Sequence, residues 1–316
     1  MRTTRQTRQG GVALITAVMV VAFASTIGAA MMVKHHLAVH RTGNAIQQVQ
    51  AWWYLVGLEQ WAATLLDRDR EDNQVDHLGE PWAQPVDFLP VDEGALAGRL
   101  LDLQGCFNLN TLIRQGAVDA DRVAQFQRLL RAIDGLRAGQ AEELTAAIID
   151  WLDADTEPTF PGGAEDGTYS TLDSPYRAAN RPMSSVTELR LIQGVDAKLY
   201  AALLPHVCVR PGDHVINVNT ASAAVLMSLA DDMTPADAEG IIARRIDQPF
   251  ESTEAFVADE LLAGRGISAD AISVQSEYFQ AEATASIGNV RLSMVSQFRR
   301  PEGARTRAVA RSLNVL

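Results

Sequence analysis

The feature that most constrains this chain is an apolar segment near its beginning. Residues 12–33 read VALITAVMVVAFASTIGAAMMV and contain no charged side chain in 22 positions. As a helix with a rise of about 1.5 Å per residue, the segment is roughly 33 Å long, which matches the hydrocarbon thickness of a membrane. Helices of a soluble core rarely stay uncharged over such a length, so we expect residues 12–33 to span a membrane.

The residues on either side of this segment indicate its orientation and its continuation. Residues 1–11 contain three arginines and no acid, which places the amino terminus in the cytoplasm and the rest of the chain across the membrane. Four apolar residues beyond the segment recur at helical spacing: Ile46, Val49, Trp53 and Val56. This pattern predicts that the membrane helix continues as a stalk over residues 34–70. The aromatic residues of the stalk are expected to pack against the body.

A cleaved secretory signal peptide is the alternative interpretation of the amino terminus. Ala22-Phe23-Ala24 loosely matches the A-x-A pattern before a signal-peptidase site, and cleavage there would release a soluble protein. The apolar run continues past Ala24, however, and the sequence behind it stays helical in pattern. Both observations favour a helix that remains in the membrane.

The overall charge and the cysteines narrow the classes of partner and compartment. The 316 residues carry a formal net charge of −12, and an acidic surface repels phosphate backbones, so we expect no nucleic-acid partner. The two cysteines are Cys106 and Cys208. They are a candidate disulfide in an exported body and two free buried thiols in a cytosolic one.

Beyond the stalk, two segments of the chain have strand character. Residues 71–118 contain a predicted loop at Gly79–Pro90, with three prolines, and a predicted strand at Arg99–Asn110. Residues 268–316 alternate polar and apolar side chains, which predicts strands that begin near Tyr278 and include Val290–Arg299 and Thr306–Val315.

The segment between these strands, residues 119–267, has helical periodicity. It contains an S-x-x-E capping box at Ser185 and a Thr-Pro helix start at Thr234. The order of strand, helical block and strands predicts an α/β (α+β) body with an antiparallel sheet and a large inserted helical domain.

The densest group of carboxylates lies within residues 150–180 of the helical block. Seven acidic residues occur there: Asp150, Asp153, Asp155, Glu157, Glu165, Asp166 and Asp173. Hard oxygen ligands on a loop bent by Pro and Gly suit Ca²⁺. The spacing Asp153-x-Asp155-x-Glu157 is that of the first ligands of an EF-hand, but Pro158 and Ala164 stand where that loop has Gly and Glu. A solvated acidic loop without a metal is the alternative.

Two other functional classes fit the sequence less well. Residues 216–222 and the helical patterns after them resemble a helix-hairpin-helix unit, but the turn Ala230–Met233 has two acids and no glycine, and would repel phosphate. The chain contains no H-E-x-x-H, G-x-x-x-x-G-K or G-x-S-x-G sequence, so we expect a non-enzymatic protein. Asp150 and Glu165 could form a glycosidase pair, but no aromatic cluster accompanies them.

The amino terminus resembles that of the prepilin class. A short basic leader ends in Gly11, and an apolar helix begins at Val12. The resemblance implies that a prepilin peptidase cleaves after Gly11 and that Val12 is methylated. Most members of this class have Glu at the fifth mature position, where this chain has Thr16. In lacking Glu at this position, the chain resembles the K-type minor pseudopilins of the type II secretion system, which lie at the end of the filament.

The acidic segment extends this resemblance over the whole chain. The stretches D-W-L-D-A-D-T-E-P, P-G-G-A-E-D and S-P-Y-R-A-A-N-R-P resemble the most characteristic part of the K-type family. The family implies a pilin-like fold with a helical insertion that binds Ca²⁺, and a body in the periplasm, where Cys106 and Cys208 would form a disulfide. The implied contributors to the Ca²⁺ site are Asp153, Asp155, Glu157, Glu165, Asp166 and Asp173.

The resemblance also implies a function and a set of partners. The protein would be anchored in the inner membrane, start the pseudopilus at its tip and support the export of folded proteins. The implied partners are the I-type and J-type minor pseudopilins, the major pseudopilin, the prepilin peptidase, the inner-membrane assembly platform and exported proteins. The alternatives are a minor pilin of a type IV pilus or competence system and a periplasmic helix-hairpin-helix binding module.

Overall fold

The membrane segment and the stalk form one continuous helix. The structure is a computed structural model that describes residues 10–133, 136–137, 139–212 and 215–314. Helix α1 runs from Gly10 to Asp72, and its 63 residues correspond to about 95 Å. Residues 12–42 are exposed on all sides, whereas Ala51, Leu55 and Leu66 are fully buried against the body. One end of the helix is therefore free of the body and the other belongs to its core.

In the described part of the chain, α1 is followed by seven further α-helices and eleven strands. The helices are α2 (Ala120–Ala132), α3 (Gln140–Leu152), α4 (Asp166–Tyr169), α5 (Ala197–Leu203), α6 (Ala223–Met227), α7 (Pro235–Asp247) and α8 (Thr253–Val257). The strands are β1 (Val86–Val91), β2 (Gly94–Asp102), β3 (Phe107–Asn108), β4 (Ile113–Arg114), β5 (Ala117–Val118), β6 (Val207–Cys208), β7 (Ile216–Asn217), β8 (Ile272–Ser273), β9 (Tyr278–Ile287), β10 (Val290–Arg299) and β11 (Arg307–Leu313). Short 3₁₀ helices lie at Pro81–Ala83, Leu109–Leu112, Val186–Leu191 and Ala269–Ala271.

Five antiparallel strands form the sheet that α1 packs against. Their order is β1-β2-β9-β10-β11, and α1 crosses β9 and β10. Strand β9 turns Ala281, Ala283 and Ala285 towards the helix. Small side chains let helix and sheet approach closely. At the end of this core near Leu66, Phe279 makes an edge contact with Trp82, at 5.2 Å between ring centroids.

The structure corrects two predictions for the first strands. The segment Gly79–Pro90 is not a loop throughout, because β1 begins at Val86 and pairs with β2. This strand forms the edge of the sheet, where a proline such as Pro90 is tolerated. The predicted strand Arg99–Asn110 is two strands, since β2 ends at Asp102 and β3 pairs in parallel with β6. The chain thus leaves the sheet after Asp102 and returns to it at β9.

The aromatic residues of the stalk pack against the body only in part, because Trp52 and Tyr54 lie against its core as predicted and Trp53 and Trp61 do not. The apolar stripe of the stalk faces solvent: Ile46 is 62% exposed, Val49 58% and Trp53 65%. Trp61 is also half-exposed. The body instead packs against the opposite side of α1, so this stripe remains free in the isolated chain.

The residues between β2 and β9 form a helical unit with its own large core. The predicted helix starts are present, because Ser185 and Thr234 each form a capping box. The first of these opens a 3₁₀ helix, and the second opens α7 with Pro235 in its first turn. Cys106 and Cys208 are joined by a disulfide with their Cα atoms 5.8 Å apart, close to the pairing of β3 with β6.

Polar contacts connect this unit to the sheet and to α1. The Asp102 carboxylate at the end of β2 accepts hydrogen bonds from Thr220 Oγ1 at 2.6 Å and Ser276 Oγ at 2.7 Å. The buried Arg300 guanidinium pairs with Asp69 at 3.0 Å and with Asp76. The end of α1 near Asp69, the sheet and the helical unit therefore meet at buried ion pairs and hydrogen bonds.

Candidate metal centre

Three of the predicted carboxylate ligands come together at the end of α3. Asp153 directly follows the last residue of this helix, Asp155 lies two residues on, and Glu165 directly precedes α4. Each offers a carboxylate oxygen, and the three oxygens lie within 4.8 Å of one another. Carboxylates from both ends of the 153–165 loop thus come close together.

The loop is folded back onto α3 by a fourth carboxylate. Asp150 is fully buried and accepts the backbone N–H of Thr159, at 3.0 and 3.2 Å from its two oxygens. The N–H of Gly163 then donates to the Thr159 carbonyl at 2.8 Å. A Cβ atom at position 163 would lie 2.3 Å from Asp150 Oδ2 and 2.4 Å from the Thr159 oxygen, so this position requires glycine.

Several oxygen atoms of the site are buried without a hydrogen-bond partner. Within the described residues these include both carboxylate oxygens of Glu165, Oδ1 of Asp153 and Oδ1 of Asn180. Asn180 is held in a left-handed conformation with φ of 46°, and its amide nitrogen donates to the Asp155 carbonyl at 2.7 Å. Buried polar atoms normally find partners, so this group of oxygens is a candidate site for a cation.

Burial and neighbouring charge raise the pKa of two carboxyl groups in this cluster. Burial, followed by the charges of Asp155 and Asp150, raises the pKa of Asp153 to about 6. Burial and the charges of Asp150 and Asp153 raise the pKa of Glu165 to about 7. Both pKa shifts reflect burial first and the charge of the neighbouring carboxylates second. The nearby base Arg177 lies beside Asp166 instead, at 3.7 Å.

The set of donors fits Ca²⁺ in particular. Three carboxylates and the amide oxygen of Asn180 are hard oxygen ligands, whereas Zn²⁺ in proteins favours nitrogen and sulfur ligands. If Ca²⁺ binds, Asp153, Asp155, Glu165 and Asn180 are the residues that would hold it. The ion would neutralise the excess charge and satisfy the unpartnered oxygens.

The structure leaves three predicted ligands outside this cluster. The side chains of Glu157 and Asp173 are exposed. Asp166 accepts the backbone N–H of Ala178 at 3.0 Å. Sequence reasoning missed Asn180, although it lies in the S-P-Y-R-A-A-N-R-P stretch. Its one local signal is that asparagine tolerates a left-handed backbone better than most residues.

Comparison with known proteins places the chain in a family. Models of the family described as type II secretion system (T2SS), protein K, match residues 105–212 and 216–275. Type II secretion system protein K of Pseudomonas aeruginosa is 38% identical over 96% of this chain and 93% of that protein. The chain belongs to the type II secretion system protein K family. The Aeromonas hydrophila member is 36% identical over 92% of this chain and 93% of its own length.

A solved structure supports the same assignment. The chain resembles the crystal structure of the GspK-GspI-GspJ complex from enterotoxigenic Escherichia coli, with a TM-score of 0.76 and 28% identity. The likeness covers 87% of this chain and 100% of that chain. It confirms the predicted α/β fold with its long amino-terminal helix, antiparallel sheet and helical insertion. The matched family segment 105–212 includes the whole candidate metal centre.

The amino-terminal positions of the family resemblance lie at the start of α1. Residues 1–9 of the predicted leader lie outside the described residues, and Gly11 and Val12 are within the first turns of the helix. The Thr16 hydroxyl donates to the carbonyls of Val12 at 3.1 Å and Ala13 at 3.0 Å, so it is satisfied within its own helix. In the described part of the chain, α1 alone is long and apolar enough to cross a membrane. This fits a single-pass anchor.

Proposed function

We propose that this protein is a minor pseudopilin at the tip of the type II secretion pseudopilus. The observation that carries the proposal is the architecture of one helix, α1, which combines an exposed apolar segment with the core of a sheet. A bulky helical unit is inserted in the chain between β2 and β9, two strands that pair directly in the sheet. Such a unit above the sheet would leave no room for a further subunit, which suits the tip.

The proposed partners follow from the family. GspK is described in a complex with GspI and GspJ, which supports I-type and J-type minor pseudopilins as the partners that start assembly with this chain. The major pseudopilin, the prepilin peptidase, the assembly platform of the inner membrane and exported folded proteins are the other proposed partners. The body would lie in the periplasm, where the Cys106–Cys208 disulfide would persist, and mass spectrometry of the unreduced protein tests this pairing.

Co-purification tests the proposed assembly. The exposed stripe on α1 offers Trp53 as an apolar anchor for a partner helix. The full chain, co-expressed with its I-type and J-type partners and extracted in detergent, is expected to retain both. Trp53→Glu should lose them, whereas Gln48→Glu, which adds the same charge at an exposed position off the stripe, should retain them. Retention by both variants would contradict this interface.

Processing of the leader separates the pilin class from a secreted protein. Cleavage after Gly11 by the prepilin peptidase would leave a mature chain that begins with methylated Val12. Sequencing of the amino terminus of the protein from membranes is expected to find this residue. A chain that begins at Ser25 would instead indicate signal-peptide cleavage, and would contradict the proposal.

The proposal includes a Ca²⁺ ion in the helical unit. Asp153, Asp155, Glu165 and Asn180 would hold it, and the unpartnered buried oxygens support this assignment. The ion would fix the 153–165 loop against the end of α3. Isothermal titration of the full chain with CaCl₂ after treatment with a chelator is the direct measurement, and an absence of binding heat at every concentration would contradict it.

The helix-hairpin-helix alternative receives no support from the charges near its turn. Asp231 pairs with Arg128 at 2.8 Å, and Arg265 pairs with Asp232 at 3.5 Å and with Asp237 at 3.0 Å. These basic side chains are engaged by carboxylates, which would compete with a phosphate.

A further inference from the structure

A ring of basic and imidazole side chains surrounds α1 where the apolar segment ends. We define this collar as Lys34, His35, His36, His40 and Arg41, all of which are exposed. At 3.6 residues per turn, they point to every side of the helix. The Nε2 atoms of His36 and His40 lie 3.0 Å apart on one face, and Lys34 and Arg41 share the opposite face.

Charge is strongly segregated along the molecule. The first acidic residue of the sequence is Glu59, 18 positions beyond Arg41, which is about 27 Å along the helix. All 39 acidic residues, but only 22 of the 27 basic residues, lie from Glu59 onward, so that part carries 17 negative charges in excess. The distance exceeds the Debye length of about 8 Å at physiological salt, so the body does not neutralise the collar.

The collar lies at the depth of lipid phosphates. The headgroup layer adds roughly 5–8 Å on each side of the hydrocarbon core, which corresponds to the first four or five residues after Val33. Lys34, His35 and His36 therefore lie within this layer. Arg41 lies about 12 Å above Val33, and its long side chain can reach down to the same layer.

Basic residues at this end of the membrane segment oppose its orientation. Lys and Arg close to a membrane helix favour the cytoplasmic side, and the leader arginines set that side here. Lys34 and Arg41 on the far side weaken this asymmetry. A favourable interaction with the membrane surface would offset the cost.

We propose that the collar binds the phosphate groups of anionic phospholipids in the leaflet from which α1 emerges. The inference rests on the membrane anchoring in the proposed function. Lys34 and Arg41 supply fixed positive charge, and the imidazole rings supply N–H donors to phosphate oxygens. The same anionic surface repels the acidic body. The two ends of α1 thus act together to hold the helix upright, with the body away from the membrane.

Lipid selectivity of the full chain tests this proposal. The protein is reconstituted in phosphatidylcholine vesicles that contain spin-labelled phosphatidylglycerol or spin-labelled phosphatidylcholine, and electron spin resonance measures the fraction of each label in contact with protein. The wild type is expected to prefer phosphatidylglycerol. Each fixed cation removed should weaken this preference by about fivefold, as a charge worth about 1 kcal/mol near an anionic surface implies.

Matched variants separate the collar from other charges. Lys34→Gln/Arg41→Gln should lose the preference, whereas Lys34→Arg/Arg41→Lys, which keeps both charges, should retain it. The leader is processed in the same way in all three proteins, so its arginines do not contribute to the differences between them. High salt should reduce the preference of the wild type.

Two outcomes would overturn the proposal. Equal association of both labelled lipids with the wild type, or an unchanged preference in Lys34→Gln/Arg41→Gln, would show that the collar does not select anionic lipid. Flotation with the vesicles is measured in parallel. A wild type that fails to float would contradict the membrane anchoring itself, and the collar with it.

Discussion

Replacement of Glu165 by glutamine should stabilise the metal-free protein while it removes the response to Ca²⁺. The pKa of Glu165 is raised from 4.5 to about 7 by burial and by the neighbouring carboxylates. The folded protein therefore holds this proton more tightly than the unfolded chain does, and ionisation above that pKa costs stability. At 1.36 kcal/mol per pKa unit, Glu165→Gln should gain up to about 3 kcal/mol in a chelator at about pH 7.5.

The direction of this pKa shift determines how the stability of the metal-free protein depends on pH. Between the unfolded pKa and the folded pKa of Glu165, the folded state binds more protons, so the stability of the metal-free wild type falls as pH rises through this window. Near pH 4 the carboxyl is protonated in both states, and the advantage of Glu165→Gln should disappear. Thermal unfolding of the full chain in detergent, followed by circular dichroism, should show a gain of about 2–6 °C at about pH 7.5.

The same measurement with Ca²⁺ completes the test. Saturating Ca²⁺ should raise the melting temperature of the wild type, because a ligand that binds only the folded state stabilises it. Glu165→Gln should show little of this rise, and Glu157→Gln, an exposed change in the same segment, should behave like the wild type with and without the ion. A Glu165→Gln protein that is less stable than the wild type in chelator, or that keeps the full Ca²⁺ response, would refute the reasoning.

Three further substitutions test the candidate metal centre and the buried ion pairs of Arg300. Gly163→Ala should cost about 2 kcal/mol or more and weaken Ca²⁺ binding in a titration, whereas Gly167→Ala, which has open space around it, should be close to neutral. Asn180→Gly keeps the left-handed backbone but removes one oxygen, and should weaken Ca²⁺ binding on the order of tenfold by isothermal titration. Arg300→Gln should cost about 3–5 kcal/mol in urea unfolding, because it leaves a buried carboxylate unpaired, whereas Arg299→Gln, at a half-exposed ion pair, should change the stability little.

The bounds of helices and strands were predicted best where a single hydrophobic periodicity dominates the sequence. Strand β10 has the predicted bounds, Val290–Arg299, and α7 begins after the predicted Thr234 cap. The three prolines of Gly79–Pro90 indicate a loop and conceal the edge strand β1, although an edge strand does not need every backbone N–H. The division of Arg99–Asn110 into two strands could not be foreseen, since the partner of β3 lies about a hundred residues later in the chain.

Composition located the candidate metal centre but did not select its ligands. Acidic residues spaced along a loop look equivalent in sequence, and only the fold determines which of them meet. The hydrogen bond from Thr159 to Asp150 turns the loop so that Glu165 reaches Asp153, and leaves Glu157 in solvent. Asn180 is 15 residues beyond Glu165 and carries no charge, so a pattern of carboxylates does not include it.

The contacts around the centre indicate that Ca²⁺ would order more than its own loop. Trp151, two residues before Asp153, makes an edge contact with Tyr169 at 5.5 Å between ring centroids, and its indole N–H donates to Glu188 at 3.1 Å. Glu188 in turn closes the capping box on Ser185. A change at the end of α3 therefore reaches the 3₁₀ helix at Val186–Leu191 through one buried aromatic side chain. Because the fluorescence of Trp151 reports this connection, its emission should shift on Ca²⁺ binding, and in Trp151→Phe that part of the shift should be absent.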